Sequence, residues 1–127
     1  MNIPATLKYT KDHEWAKIDG SFITVGITDH AQNSLGDIVF AELPKIGREL
    51  KRGETFGVVE SIKAVSDLYS PVTGKVIAIN ESLGNDPAAL NRDAYGAWLI
   101  KVELTDPSSL SELLDPARYT ELVKSLA

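Results

Sequence analysis

Apolar and polar positions alternate in short bursts along the chain, and turn residues rather than long polar tracts separate them. "EWAKI" (residues 14–18) and "SFITVGI" (residues 21–27) flank Asp19-Gly20. Both residues of that dipeptide tolerate positive φ, so the pattern predicts a β-hairpin. "TDHAQNSLG" breaks the alternation and predicts a short helix. Thr28 or Asp29 supplies its cap, Gln32 completes a capping-box-like pair, and Gly36 ends it in the left-handed region. "DIVFAEL" (residues 37–43) returns to strand, and Pro44, Gly47 and Arg52-Gly53 mark turns. "TFGVVES" and "AVSDLYS" are two strand-like runs on either side of Lys63, and "PVTG" turns into "KVIAIN". Residues 81–97 form a long excursion with one helical turn at "PAAL", before a last strand "WLIKVEL" (residues 98–104).

Asp106-Pro107 and Asp115-Pro116 each place a capping carboxylate before a proline, whose missing N–H costs nothing at the first helical position. They predict two C-terminal helices, one running through Leu114. Leu110, Leu113 and Leu114 share one helical face, as do Tyr119, Leu122, Val123 and Leu126. Many short strands followed by a helical tail predict an all-β core of small sheets or a partly closed barrel. The whole of 1–127 reads as one domain, with the tail from about residue 106. Lys63 falls near a hairpin tip at one end of that core.

Composition narrows the function. A chain of 127 residues, 43% apolar and 24% charged, can bury a core as a soluble globular domain. It has no cysteine, hence no disulfide, thiol nucleophile or thiolate metal site, and redox chemistry must be added to it. A net charge of −5 argues against nucleic-acid binding, and no apolar run is long enough to span a bilayer. "MNIPATLKYT" has neither a secretory nor a transit pattern, so a cytoplasmic bacterial location is expected, or the mitochondrial matrix for a mature organelle form. His13 and His30 lack ligand spacing and read as surface or cap-adjacent residues, and no Gly-x-Ser-x-Gly nucleophile motif is present. Glu14, Glu60 and Asp67 read as solvated strand faces, and Trp15 and Trp98 as core or rim aromatics. Lys63 stands apart. Its turn has none of the Gly, Pro, Asn or Asp expected at a hairpin tip, and it exposes Ile62 and Ala64 beside the lysine. That suits recognition by a protein that modifies the lysine.

"VESIKAVSDLYSPVTGKV" resembles the lipoyl-attachment segment of the glycine cleavage system H protein family. "YTKDHEWAKIDG", "VGITDHAQNSLGDIVFAELPKIG", "NRDAY" before "GAWLIKVEL", and "LLDPARYTELV" extend the resemblance over nearly the whole chain. The resemblance implies a mainly β fold, a barrel-sandwich hybrid of two antiparallel sheets with a short helix in the N-terminal half and C-terminal helices. It implies a non-catalytic, monomeric carrier with lipoic acid in amide linkage to Lys63. Its partners would be a pyridoxal-phosphate glycine decarboxylase, an aminomethyl transferase, dihydrolipoamide dehydrogenase and a lipoyl or octanoyl ligase or transferase. Glu60, Ile62, Ala64 and Gly74 are the residues expected to serve modification, Gly74 through a backbone conformation closed to other residues. Glu14 first, and Asp67 second, are expected to dock the loaded arm. Asp12 departs from the family pattern, where a small hydroxyl residue is common. A lipoate relay to other acceptors is the alternative duty. A lipoyl domain of a 2-oxoacid dehydrogenase would carry "DKA", and a biotin carrier would flank its lysine with methionines, whereas here the only methionine is Met1. An unmodified β interaction module is the plain alternative.

Overall fold

A computed structural model describes residues 2–126. Nine strands form two antiparallel sheets. The larger has the order β1-β2-β3-β9-β8-β5, where β1 is Lys8–Tyr9, β2 Glu14–Asp19, β3 Phe22–Ile27, β5 Glu49–Leu50, β8 Thr73–Ile79 and β9 Ile100–Asp106. The smaller has the order β4-β6-β7, where β4 is Ile38–Glu42, β6 Thr55–Ser61 and β7 Val65–Tyr69. Register builds the core: Ile23 pairs with Val102 and Val102 with Val76, one fully buried apolar row across three strands. Ile38, Phe56, Val59 and Leu68 of the smaller sheet close over it. This is the two-sheet barrel-sandwich arrangement expected from the sequence.

The β2–β3 hairpin differs in one detail. Asp19 pairs with Phe22, so the loop is Gly20-Ser21, and of these only Gly20 has positive φ (61°). That is the φ signature of a type II′ turn, which needs a glycine only at its first loop position. Helix α1 (Asp29–Leu35) is capped by Thr28, whose Oγ1 accepts from the Ala31 N–H at 3.2 Å. Gln32 does not form the expected capping box. Its Nε2 donates to Asp29 Oδ1 at 2.7 Å, because the Thr28 N–H is already bonded to the His13 carbonyl.

The excursion after β8 holds a 3₁₀ turn at Glu81–Gly84 as well as the short helix α2 (Ala89–Arg92). The tail begins with a 3₁₀ segment, Pro107–Glu112, then α3 (Pro116–Ser125), with Asp106 and Asp115 accepting from the Ser108 and Arg118 N–H groups as their prolines predict. Tyr119, Leu122 and Val123 of α3 pack on a second apolar cluster with Leu7, Tyr9, Trp15 and Leu114. Two faces are split by the geometry. Leu110 and Leu113 join the main core rather than Leu114's cluster, and Leu126, past the end of α3, is exposed. Trp15 is buried there, its Nε1 donating to the Ala94 carbonyl at 3.0 Å, so its role is core packing.

Candidate functional site

Lys63 occupies the tip of the β6–β7 hairpin. Glu60 pairs with Val65, and the Ser61 N–H donates to the Ala64 carbonyl at 2.8 Å. The loop needs no left-handed residue because a side chain organises it. Ser61 Oγ accepts from the Lys63 N–H at 3.3 Å and from the Ala64 N–H at 3.0 Å. Such a hydroxyl-capped turn replaces the glycine or asparagine of commoner hairpins. The Ile62 N–H donates to the Asp37 carbonyl at 3.1 Å and ties the tip to the start of β4. Ile62 and Val65 stand 73% and 67% exposed beside the lysine, and Val39 and Phe40 of β4 are also exposed. Across the sheet, Phe40, Glu60 and Val65 share one row and Glu42, Val58 and Asp67 the next. The outer face around Lys63 is therefore an apolar patch edged by three carboxylates.

Gly74 is not part of this tip. It is buried in β8, lacks the positive φ expected of it, and pairs with Leu104 on one side and Leu50 on the other. A Cβ there would meet the Glu103 carbonyl oxygen at 2.3 Å and Val102 Cγ1 at 2.5 Å, so close packing between strands demands the glycine. A buried backbone position cannot be read directly by a modifying enzyme.

Glu14 also departs from expectation. It is 1% exposed, not a solvated strand residue. Its Oε1 accepts from the Thr10 hydroxyl at 2.6 Å and its Oε2 from the Tyr69 N–H at 3.2 Å. Burial drives its carboxyl up to about 7, against the pull of those two hydrogen bonds, and Asp12 adds to the rise. No salt bridge to Glu14 exists among the described residues. Glu14 lines a cleft of about 590 Å³ with Thr10, Lys11, Asp12, Arg52 and Tyr69. Tyr69 ends β7, and Val65, two residues after Lys63, begins it. At about 3.3 Å per residue, that strand separates the lysine tip from the cleft by roughly 13 Å. Asp67 lies halfway along it, exposed. The larger sheet's β2 thus meets the free edge of β7 through one buried carboxylate.

His13 and His30, unremarkable in the sequence, are brought together with ring centroids 4.4 Å apart. His13 has a left-handed backbone (φ 68°), and its Nδ1 lies 2.9 Å from the Tyr119 hydroxyl. No group of three metal-ligating side chains exists among the described residues.

Two antiparallel sheets closed over one apolar core, with Lys63 held out on a capped hairpin, define a barrel-sandwich hybrid. Comparison with known proteins narrows this. The family model for Glycine cleavage H-protein matches residues 7–126. The chain is 59% identical over 119 residues to a glycine cleavage system H protein of Koribacter versatilis, covering 94% of this chain and 92% of the relative. It is 51% identical over 125 residues to one from Myxococcus xanthus, covering 98% and 97%. A crystal structure of a glycine cleavage system H protein from Mycobacterium marinum superposes with a TM-score of 0.88 at 40% identity, over 96% of this chain and 99% of the other. The chain belongs to the glycine cleavage H-protein family, and its role lies in the glycine cleavage system.

Proposed function

We propose that Lys63 carries a lipoyl group in amide linkage, and that the chain is a non-catalytic carrier. It would take an aminomethyl group from a pyridoxal-phosphate glycine decarboxylase to an aminomethyl transferase, and electrons to dihydrolipoamide dehydrogenase. The observation that carries this reading is a pairing of opposites at the two ends of β7. An exposed, backbone-ordered lysine stands at one end, and a buried carboxylate without an ion partner at the other. Lipoate supplies the sulfur chemistry that a chain without cysteine lacks.

The chain's own residues supply position and surroundings. Ser61 orders the tip, and Ile62 and Ala64 give a ligase an apolar handhold around the lysine, with Glu60 beside it on the outer face. Amide formation removes the lysine charge, so the attached arm can lie along apolar surface. Glu14 is the docking partner for a cationic arm end. A cation leaving water is costly unless it is paired, and a buried carboxylate with two neutral donors still has lone pairs to offer. Asp67, exposed midway, gives a weaker, solvent-screened attraction along the path.

Incubation with lipoate, ATP and a lipoate ligase should add one lipoyl mass to the wild type and none to Lys63→Arg, whose guanidinium stays protonated. A lipoyl increment on the arginine variant, or none on the wild type, would overturn the assignment.

A further inference from the structure

We propose that the junction between α1 and β4 is the second half of the lysine site, and that Asn91 is a positioning residue for acylation of Lys63. The inference rests on Lys63 being the modified residue. Gly36 closes α1 with φ 77° and ψ −155°, a region essentially reserved for glycine. A methyl group built on Gly36 would stand 3.4 Å from Lys63 Cε and 4.0 Å from its Cδ and Nζ. The aliphatic stem of the lysine therefore lies over bare backbone. The next carbonyl, that of Asp37, accepts the Ile62 N–H at 3.1 Å. The junction thus supports the lysine stem from below and fixes the residue before it from the side.

Asn91, on α2, holds the junction in that shape. Its Nδ2 donates to the Gly36 carbonyl at 2.8 Å and to Gln32 Oε1 at 3.1 Å, and its Oδ1 accepts from the Ile38 N–H at 2.8 Å. Both of its donors are engaged. Gly36 and Ile38 flank Asp37, so clamping both sets the direction of the one carbonyl to which the hairpin tip is tied. Ser61 orders the tip internally, and β4 pairs with β6 as far as Ile38 and Ser61. The Ile62–Asp37 bond carries that attachment one residue further, to the residue that precedes the lysine.

Fixing the backbone next to Lys63 matters for the reaction. In its unprotonated form the ε-amine attacks the carbonyl carbon of an acyl adenylate held by a ligase. The C–N bond forms, the bond from acyl carbon to phosphate oxygen breaks, AMP leaves, and the amine's proton passes to solvent. Such a step is sensitive to the approach geometry of the nucleophile. Asn91 touches neither lysine nor acyl donor, and acts through Gly36 and Asp37.

The test uses the whole unmodified chain with lipoic acid, ATP and a lipoate ligase, and acetic anhydride as a small reagent that needs no docking. For Asn91→Ala, kcat for lipoylation should fall about tenfold, with KM for the carrier changed by less than about twofold. Acetylation of Lys63 by acetic anhydride should keep its wild-type rate, and exchange of the Ile62 amide hydrogen should quicken. Should Asn91→Ala fail to fold, Asn91→Asp keeps the acceptor for Ile38 but loses both donors, and should show the same loss in kcat. Faster Ile62 exchange with wild-type kcat overturns the proposal. So does a loss carried by KM, which would mean surface recognition, or an equal loss with acetic anhydride, which would mean general distortion. A wild type that takes up no lipoyl mass sinks the underlying lysine assignment instead, so the two failures are distinguishable.

Discussion

Ionising Glu14 in its cleft works against folding. Its native carboxyl titrates near 7 and its ordinary value is 4.5, so between those values the folded chain binds the proton more tightly than the unfolded one. By linkage, stability falls as pH rises from about 4.5 to 7, and the full penalty persists above. A shift of that size corresponds to about 3 kcal/mol, at 1.36 kcal/mol per unit. Glu14→Gln removes the ionisation, but its Nε2 must face either the Tyr69 N–H or the Thr10 hydroxyl, and one hydrogen bond worth about 1 kcal/mol is lost. The variant should therefore be more stable than wild type by about 2 kcal/mol at pH 8 and less stable by about 1 kcal/mol near pH 3.5, below both values. Urea denaturation at both pH values measures the crossing. No crossing would mean that Glu14 is not held ionised against its surroundings. The arm-docking role proposed for Glu14 would offset that cost. Its burial was not legible in the sequence, because "EW" opens a strand whose first three residues, Glu14, Trp15 and Ala16, are all buried. No alternation distinguishes Glu14 from them. The place of Lys63 at a hairpin tip was legible, because strand-like runs stand on both sides of it.

Among the elements, the two strands flanking Lys63 come out within one residue of the sequence pattern, since five to seven residues of β-forming sequence carry a readable signal. Strands β1 and β5 do not, because two residues contain no period. They exist through their partners: Tyr9 pairs with Trp15, and Leu50 with Gly74. That second pairing fixes Gly74. Its strand lies between β5 and β9, and an added methyl strikes the Glu103 carbonyl, backbone that has nowhere to move. Gly74→Ala should cost about 1–3 kcal/mol, as overpacking does, and lower the melting temperature. The folded fraction should be lipoylated at the wild-type rate. A variant with unchanged melting but slow lipoylation would return Gly74 to the modification site. The α1–β4 junction shows the reverse case. "LG" announces where the helix ends, but nothing local announces that Asn91, far along the chain, holds that end in place.

At the scale of the molecule, α3 is attached to the β body through the second apolar cluster, and Tyr119 is its one fully buried side chain. The Tyr119 ring stacks on Tyr9 with centroids 4.6 Å apart. Its hydroxyl lies 2.7 Å from Thr28 Oγ1 and 2.9 Å from His13 Nδ1. With His13 Nδ1 unprotonated, Thr28 donates to Tyr119 and Tyr119 to His13; with Nδ1 protonated the same contacts run the other way, His13 to Tyr119 to Thr28. The cost of charging His13 is therefore the burial of the cation beside His30. Burial and the neighbouring His30 lower His13 from its ordinary 6.5, outweighing Asp12. The native chain thus binds fewer protons than the unfolded one just below 6.5, so stability falls as pH drops through that window and stays lower once the native His13 has also titrated. Glu14 acts in the opposite direction between 4.5 and 7 and masks part of this slope. The measurement therefore belongs in the Glu14→Gln background. There, the urea midpoint should fall steadily from pH 7 to pH 5. Adding His13→Asn, a residue that tolerates the left-handed backbone at this position, should flatten that slope. Equal slopes with and without His13 would place the acid sensitivity elsewhere and leave the tail's attachment to the apolar cluster alone.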